Sequence, residues 1–144
     1  MQKRNIIIFT VTLVILLGGI VILISRSAST ELTVRLNEES AIDNLKQLRR
    51  VQSKFFQENG RYAALQELCL AKLVEDYLCD GIEGGYKFNI EATGNNYAVN
   101  ATPISYGKDG TGTLSFFLDE SGVIRGDFKE GGLADKNAIP LPER

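Results

Sequence analysis

Two cysteines, Cys69 and Cys79, and a scatter of carboxylates are the residues with chemistry to offer. An even pair of cysteines in a small domain reads as a disulfide, and closing a loop of about ten residues gives up to roughly 3 kcal/mol in the chain-entropy model. Two thiols cannot complete a four-coordinate zinc site by themselves, and their spacing is not that of a CxxC redox pair. The chain has no histidine, so it lacks the commonest general base and the commonest transition-metal ligand. Asp109, Asp119, Glu120 and Asp127 are the candidate acid/base carboxylates, since two positioned carboxylates can hydrolyse a glycoside. However, Asp119-Glu120-Ser121-Gly122 has the composition of a hairpin turn. Lys108–Thr113 reads as a flexible loop, without the acidic density of an EF-hand or the lysine and spacing of a P-loop. No nucleophile–base pair is visible. The expectation is a non-enzyme with no catalytic, cofactor-binding or metal-ligating residue and no cofactor.

The elements that carry these residues begin with an apolar run. Residues 6–24 carry no charge, and nineteen to twenty helical residues cover roughly 30 Å, the hydrocarbon thickness of a bilayer. The expectation is a transmembrane helix over residues 5–25, with the lipid bilayer as its partner. Lys3 and Arg4 precede it, so the positive-inside rule puts residues 1–4 in the cytoplasm and the rest outside. The predicted location is a single-pass inner-membrane protein whose C-terminal domain is periplasmic or extracellular. Cleavage near Ser27-Ala28-Ser29 is the alternative, although the apolar run exceeds the 7–15 residues of a signal peptide. Gly18 and Gly19 permit close helix approach in lipid, or are simply tolerated there.

Charge divides unevenly. Three of the 16 basic groups and none of the 18 acidic ones fall in residues 1–27, so the remainder is net −5. An acidic domain excludes nucleic acid as a partner, because binding it needs a basic footprint. No small-molecule substrate is evident.

Beyond the apolar run, Ala41, Leu45, Leu48, Gln52 and Phe55 recur at three- and four-residue steps, widened by Ile42, Val51 and Phe56. That period predicts a helix with one buried face, ending at Asn59-Gly60, and makes Ala41, Leu45, Leu48 and Phe55, with Gly18 and Gly19, the candidate helix-packing residues. Residues 63–78 predict a short helix or two turns, and Gly81–Gly85 a turn. The period then becomes two: Tyr86–Ala92 and Tyr97–Thr102 alternate about Gly94-Asn95-Asn96, a β-hairpin signal. Ile104–Thr113 reads as a loop, Leu114–Leu118 as a third strand and Val123–Phe128 as a fourth. The fold class expected is α+β, one long N-terminal helix packed on a three- to four-stranded antiparallel sheet. Tyr86, Phe88, Ile90, Tyr97, Val99, Leu114, Phe116, Leu118 and Val123 are the expected sheet side of the core. The domain spans residues 26–128, and residues 129–144 form a loose tail.

In this order the chain resembles type IV pilins and the pseudopilins of type II secretion. The resemblance rests on Asn37-Glu38-Glu39-Ser40-Ala41-Ile42 through Leu45 to Phe55, then Asn59-Gly60-Arg61-Tyr62-Ala63. Gly85–Phe88, Tyr97–Pro103 and Phe116–Arg125 look like that family's sheet. The prepilin leader glycine and the early helix glutamate of the family have no counterpart, since the first glycine is Gly18 and the first acid Glu31. The resemblance implies an atypical minor pilin or pseudopilin acting in assembly, with other pilin-like subunits or envelope assembly proteins as partners. A non-filament anchored or secreted binding module is the alternative, and an envelope hydrolase the third.

Overall fold

A computed structural model describes the backbone of residues 2–142 and the side chains of residues 30–142. The helix α1 runs from Gln2 to Asn59. It stops where Gly60 turns left-handed at φ +68, a conformation an L side chain resists. The Gly60 N–H still donates to the Phe56 carbonyl at 2.8 Å, and the Asn59 side chain donates to the Phe55 carbonyl at 3.0 Å. The last carbonyls are thereby satisfied.

Two short helices follow, α2 (Leu65–Leu70) and α3 (Asp76–Cys79), joined by the Cys69–Cys79 disulfide with Cα atoms 5.8 Å apart. Between them Lys72 takes a positive φ of 53, and its N–H donates to the Cys69 carbonyl. The bridge thus closes a segment too short in its helices to hold itself.

The remainder is one antiparallel meander: β1 (Ile82–Glu83), β2 (Tyr86–Thr93), β3 (Asn96–Pro103), β4 (Ser115–Asp119), β5 (Arg125–Asp127) and β6 (Ile139–Pro140), paired in that order. The sheet therefore has six strands, which corrects the expected three or four. The two extra strands sit at its edges and are two residues each, too short for any alternation to announce them. One of them, β1, lies in the expected Gly81–Gly85 turn. Gly84 and Gly85 both have positive φ and reverse the chain, so Glu83 faces Tyr86. The central β2–β3 hairpin runs in full register from Tyr86↔Pro103 to Thr93↔Asn96.

One face of the sheet takes the stripe of α1. Ala41, Leu45, Leu48 and Phe55 are buried against Tyr86, Phe88, Ile90, Tyr97, Val99, Phe116 and Leu118. Leu114 packs only partly buried at the margin, and Ile124 rather than Val123 enters the core. Burying the side chains of this shared layer is the main source of the domain's stability, at about 1.5–3 kcal/mol for each large apolar group.

The other face is partly covered by the segment expected to be a loose tail. Ala134 and Ala138 are buried, Leu133 borders Asn89, Asn100 and Thr102, and Ile139–Pro140 pairs with β5.

The single-pass membrane location is also corrected. Among the described residues no helix is long and apolar enough to cross a membrane. From Thr30 onward α1 carries Glu31, Arg35, Glu38, Glu39, Asp43 and Lys46, and its apolar stripe is occupied by the sheet. The side chains of the span expected over residues 5–25, including Gly18 and Gly19, lie outside the described residues.

Candidate functional site

The polar residues of α1 that do the most are Asn37 and Glu38. Glu38 Oε1 accepts from the Thr113 N–H at 2.8 Å, the Thr113 hydroxyl at 2.7 Å and the Leu114 N–H at 3.2 Å. Asn37 Nδ2 donates to the Thr111 carbonyl at 2.9 Å. A carboxylate receiving two backbone N–H groups and a hydroxyl fastens a loop strongly, because charge-assisted bonds exceed neutral ones. The loop also ties itself: Thr111 Oγ1 accepts from the Ser105 N–H, and the Thr111 N–H donates to the Ser105 carbonyl. The Gly/Thr-rich stretch read as flexible is therefore a clasp between α1 and β4.

Glycine makes the clasp possible. The Tyr86 ring lies directly against Gly112, and a Cβ at Gly85 would meet Thr111 Cβ at 2.8 Å. The Tyr86 hydroxyl donates to the Leu114 carbonyl at 2.8 Å. Burial, with the nearby Glu38 charge second, pushes the Tyr86 phenol well above its usual range. Burial does the same to Tyr97, aided by Tyr62.

Each candidate carboxylate has a local task or stands apart. Asp119 Oδ1 accepts from the Ser121 N–H at 3.0 Å and from its hydroxyl, which fixes the β4–β5 turn. Asp127 pairs with Lys129 at 2.9 Å, and hydrogen bonding to that ammonium lowers its carboxyl. Asp109 is exposed in the loop beside Lys108 and Val34. Asp119 and Glu120 do share a shallow depression with Glu91 and Asp135, open on the outer face of the sheet. Among the described residues no group of three or more metal-ligating side chains converges.

The residues expected to pack helices behave as follows. Ala41, Leu45, Leu48 and Phe55 are buried within this domain, against its own sheet. One turn upstream the helix changes character: Val34 is buried near the clasp, while Leu32 and Leu36, four residues apart on one face, are each 56% exposed. The aromatic trio Phe56, Tyr62 and Tyr97 stacks with ring centroids 4.6 Å apart in both contacts, whereas Tyr106 stays exposed.

Sequence reasoning missed the clasp, since Asn37, Glu38, Thr111 and Thr113 are far apart along the chain. The one signal available was the acid at position 38 on the margin of the apolar stripe. It also missed the outer edge of β2, where pairing with β1 stops at Lys87. No family model, no curated protein and no solved structure matches this chain significantly.

Proposed function

We propose that the chain is a pilin-like assembly protein, an atypical minor pilin or pseudopilin of a type IV pilus or type II secretion-like system, whose work is protein contact. The observation that carries this reading is the division of labour along α1. Its residues 41–55 form the spine of the domain, and just upstream the same helix presents Leu32 and Leu36 to solvent. A helix seam of leucines one turn apart is a surface for another helix, because such side chains interlock at three- and four-residue spacing. The carboxylates support the same reading, since Asp119 and Asp127 are engaged in local structure.

The native cysteines are bridged, so a single introduced cysteine reports contacts cleanly. Leu32→Cys and Leu36→Cys, made separately in the full chain and oxidised, are expected to give disulfide-linked dimers. Glu58→Cys, on the exposed far end of α1, is the control. Monomer alone from both leucine positions, or equal linking from Glu58→Cys, would overturn the proposal.

A further inference from the structure

Only one edge of β2 is used in full. Its eight residues all pair with β3, but β1 reaches only Tyr86 and Lys87, and the Phe88 N–H then donates to the Gly81 carbonyl at 2.7 Å. The two-residue turns at Gly84-Gly85 and Gly94-Asn95 fix the alternation. Tyr86, Phe88, Ile90 and Ala92 direct their peptide groups toward β1, and their neighbours toward β3. Beyond Phe88, β1 has run out. The peptide groups of Ile90 and Ala92 meet no strand on that side and no other backbone partner among the described residues. Peptide groups left unpaired by protein are stable only where water, or another chain, can reach them.

The opposite edge is closed by different means. There β6 is two residues long and contains Pro140, with Pro142 close behind, and proline on an edge strand deters further pairing.

We propose that the β2 edge at Ile90–Ala92 is a strand-addition site for an extended, basic segment of a partner protein. Charge decides the occupant. The Glu91 side chain points to the outer face, where it shares a depression with Asp119, Glu120 and Asp135 against the single cation Lys136. A second copy of this chain adding antiparallel, with Ile90 opposite Ala92, would set Glu91 against Glu91, and like charges directly opposite destabilise a sheet. A lysine or arginine in that position complements the depression instead. A partner strand alternating basic and apolar residues therefore fits, with backbone hydrogen bonds supplying affinity and the acidic depression selecting sequence. This names a partner class for the protein-contact reading above, and rests on that part of it, not on filament formation.

The test is amide exchange on the full-length, isotope-labelled chain. The probe is an acetylated six-residue peptide alternating lysine and valine, with an alternating glutamate–valine peptide as the control. The lysine peptide is expected to slow exchange at Ile90 and Ala92 at least tenfold, and the glutamate peptide to leave both unchanged. Glu91→Lys takes the depression from net −3 to net −1 and narrows that preference. Ala92→Pro deletes an N–H the domain does not use, and abolishes the response at Ile90 while the β3 amides keep their wild-type protection. No slowing, equal slowing by both peptides, or protection that grows with protein concentration alone would overturn the proposal. Should Ala92→Pro fail to fold, the Glu91→Lys narrowing decides by itself, and an unchanged preference in that variant overturns the proposal. Failure of the leucine cross-links leaves this readout untouched, so the two proposals fall separately.

Discussion

Gln52, wholly buried in α1, and Ala63, in the chain leaving that helix, exchange two hydrogen bonds. The Gln52 amide donates to the Ala63 carbonyl at 2.6 Å, and the Ala63 N–H donates to Gln52 Oε1 at 3.1 Å. The carboxamide thus stands in for one residue of a strand ladder. It lets an irregular segment pass through the core without orphaned peptide groups, which would otherwise be costly. Arg49 plays a lesser version of this part on the same helix, donating to the Gly122 carbonyl at 2.7 Å across the β4–β5 turn.

Gln52→Leu keeps the volume and removes both partners of Ala63. Leaving a buried donor and acceptor unmade costs about 1–3 kcal/mol each, so a loss of roughly 2–6 kcal/mol is expected. The urea midpoint should fall with little change in slope, since the surface exposed on unfolding is the same. A midpoint within error of wild type would show that the exchange contributes nothing.

Glu38→Ala unfastens the clasp. Three bonds converge on one carboxylate oxygen, and a loss of about 1.5–3 kcal/mol is expected for bonds to a charged group. The effect should be local as well as global: amide exchange at Thr113 and Leu114 accelerates more than at Val99 in the sheet centre. Uniform acceleration would mean that the loop is held by packing alone.

Reducing the Cys69–Cys79 bridge, or replacing both residues by serine, frees a loop with a sequence separation of 10. Chain entropy puts the loss at about 3 kcal/mol. The α2–α3 segment should loosen first, because helices of six and four residues have little stability of their own. Limited proteolysis after Lys72 with and without reductant measures this, and equal cleavage rates would contradict it.

Stability should decline in alkali. Burial raises the Tyr86 and Tyr97 phenols in the folded chain, whereas an unfolded tyrosine loses its proton near about pH 10. The unfolded state therefore releases protons first as pH rises. The contribution is complete below that pH and is lost progressively above it. Urea midpoints measured from pH 8 to pH 11 should be level at first and then fall. Tyr86→Phe should flatten that fall, while losing the bond to the Leu114 carbonyl. A fall of unchanged steepness in that variant would remove Tyr86 from the explanation.

What was legible in the sequence is what local pattern encodes. The stripe Ala41, Leu45, Leu48, Phe55 repeats with the helix period, and Tyr86, Phe88, Ile90 against Tyr97, Val99 repeats with the strand period. Both needed only a face to bury. Asn59-Gly60 marked a helix end because glycine accepts positive φ. The two cysteines gave their bridge because there was no third to compete.

Only tertiary structure decided the rest. Two-residue strands such as Ile82–Glu83 and Ile139–Pro140 exist because a longer neighbour offers hydrogen bonds, not because their own residues prefer the conformation. The loop at Ser105–Thr113 owes its order to Asn37 and Glu38, some 75 positions earlier in the chain. That Ile90 and Ala92 have no strand beside them on that edge follows from where β1 stops. Periodicity reports which face of an element is buried. Which polar groups meet across the chain, and which are left without a neighbour, is settled when the elements pack.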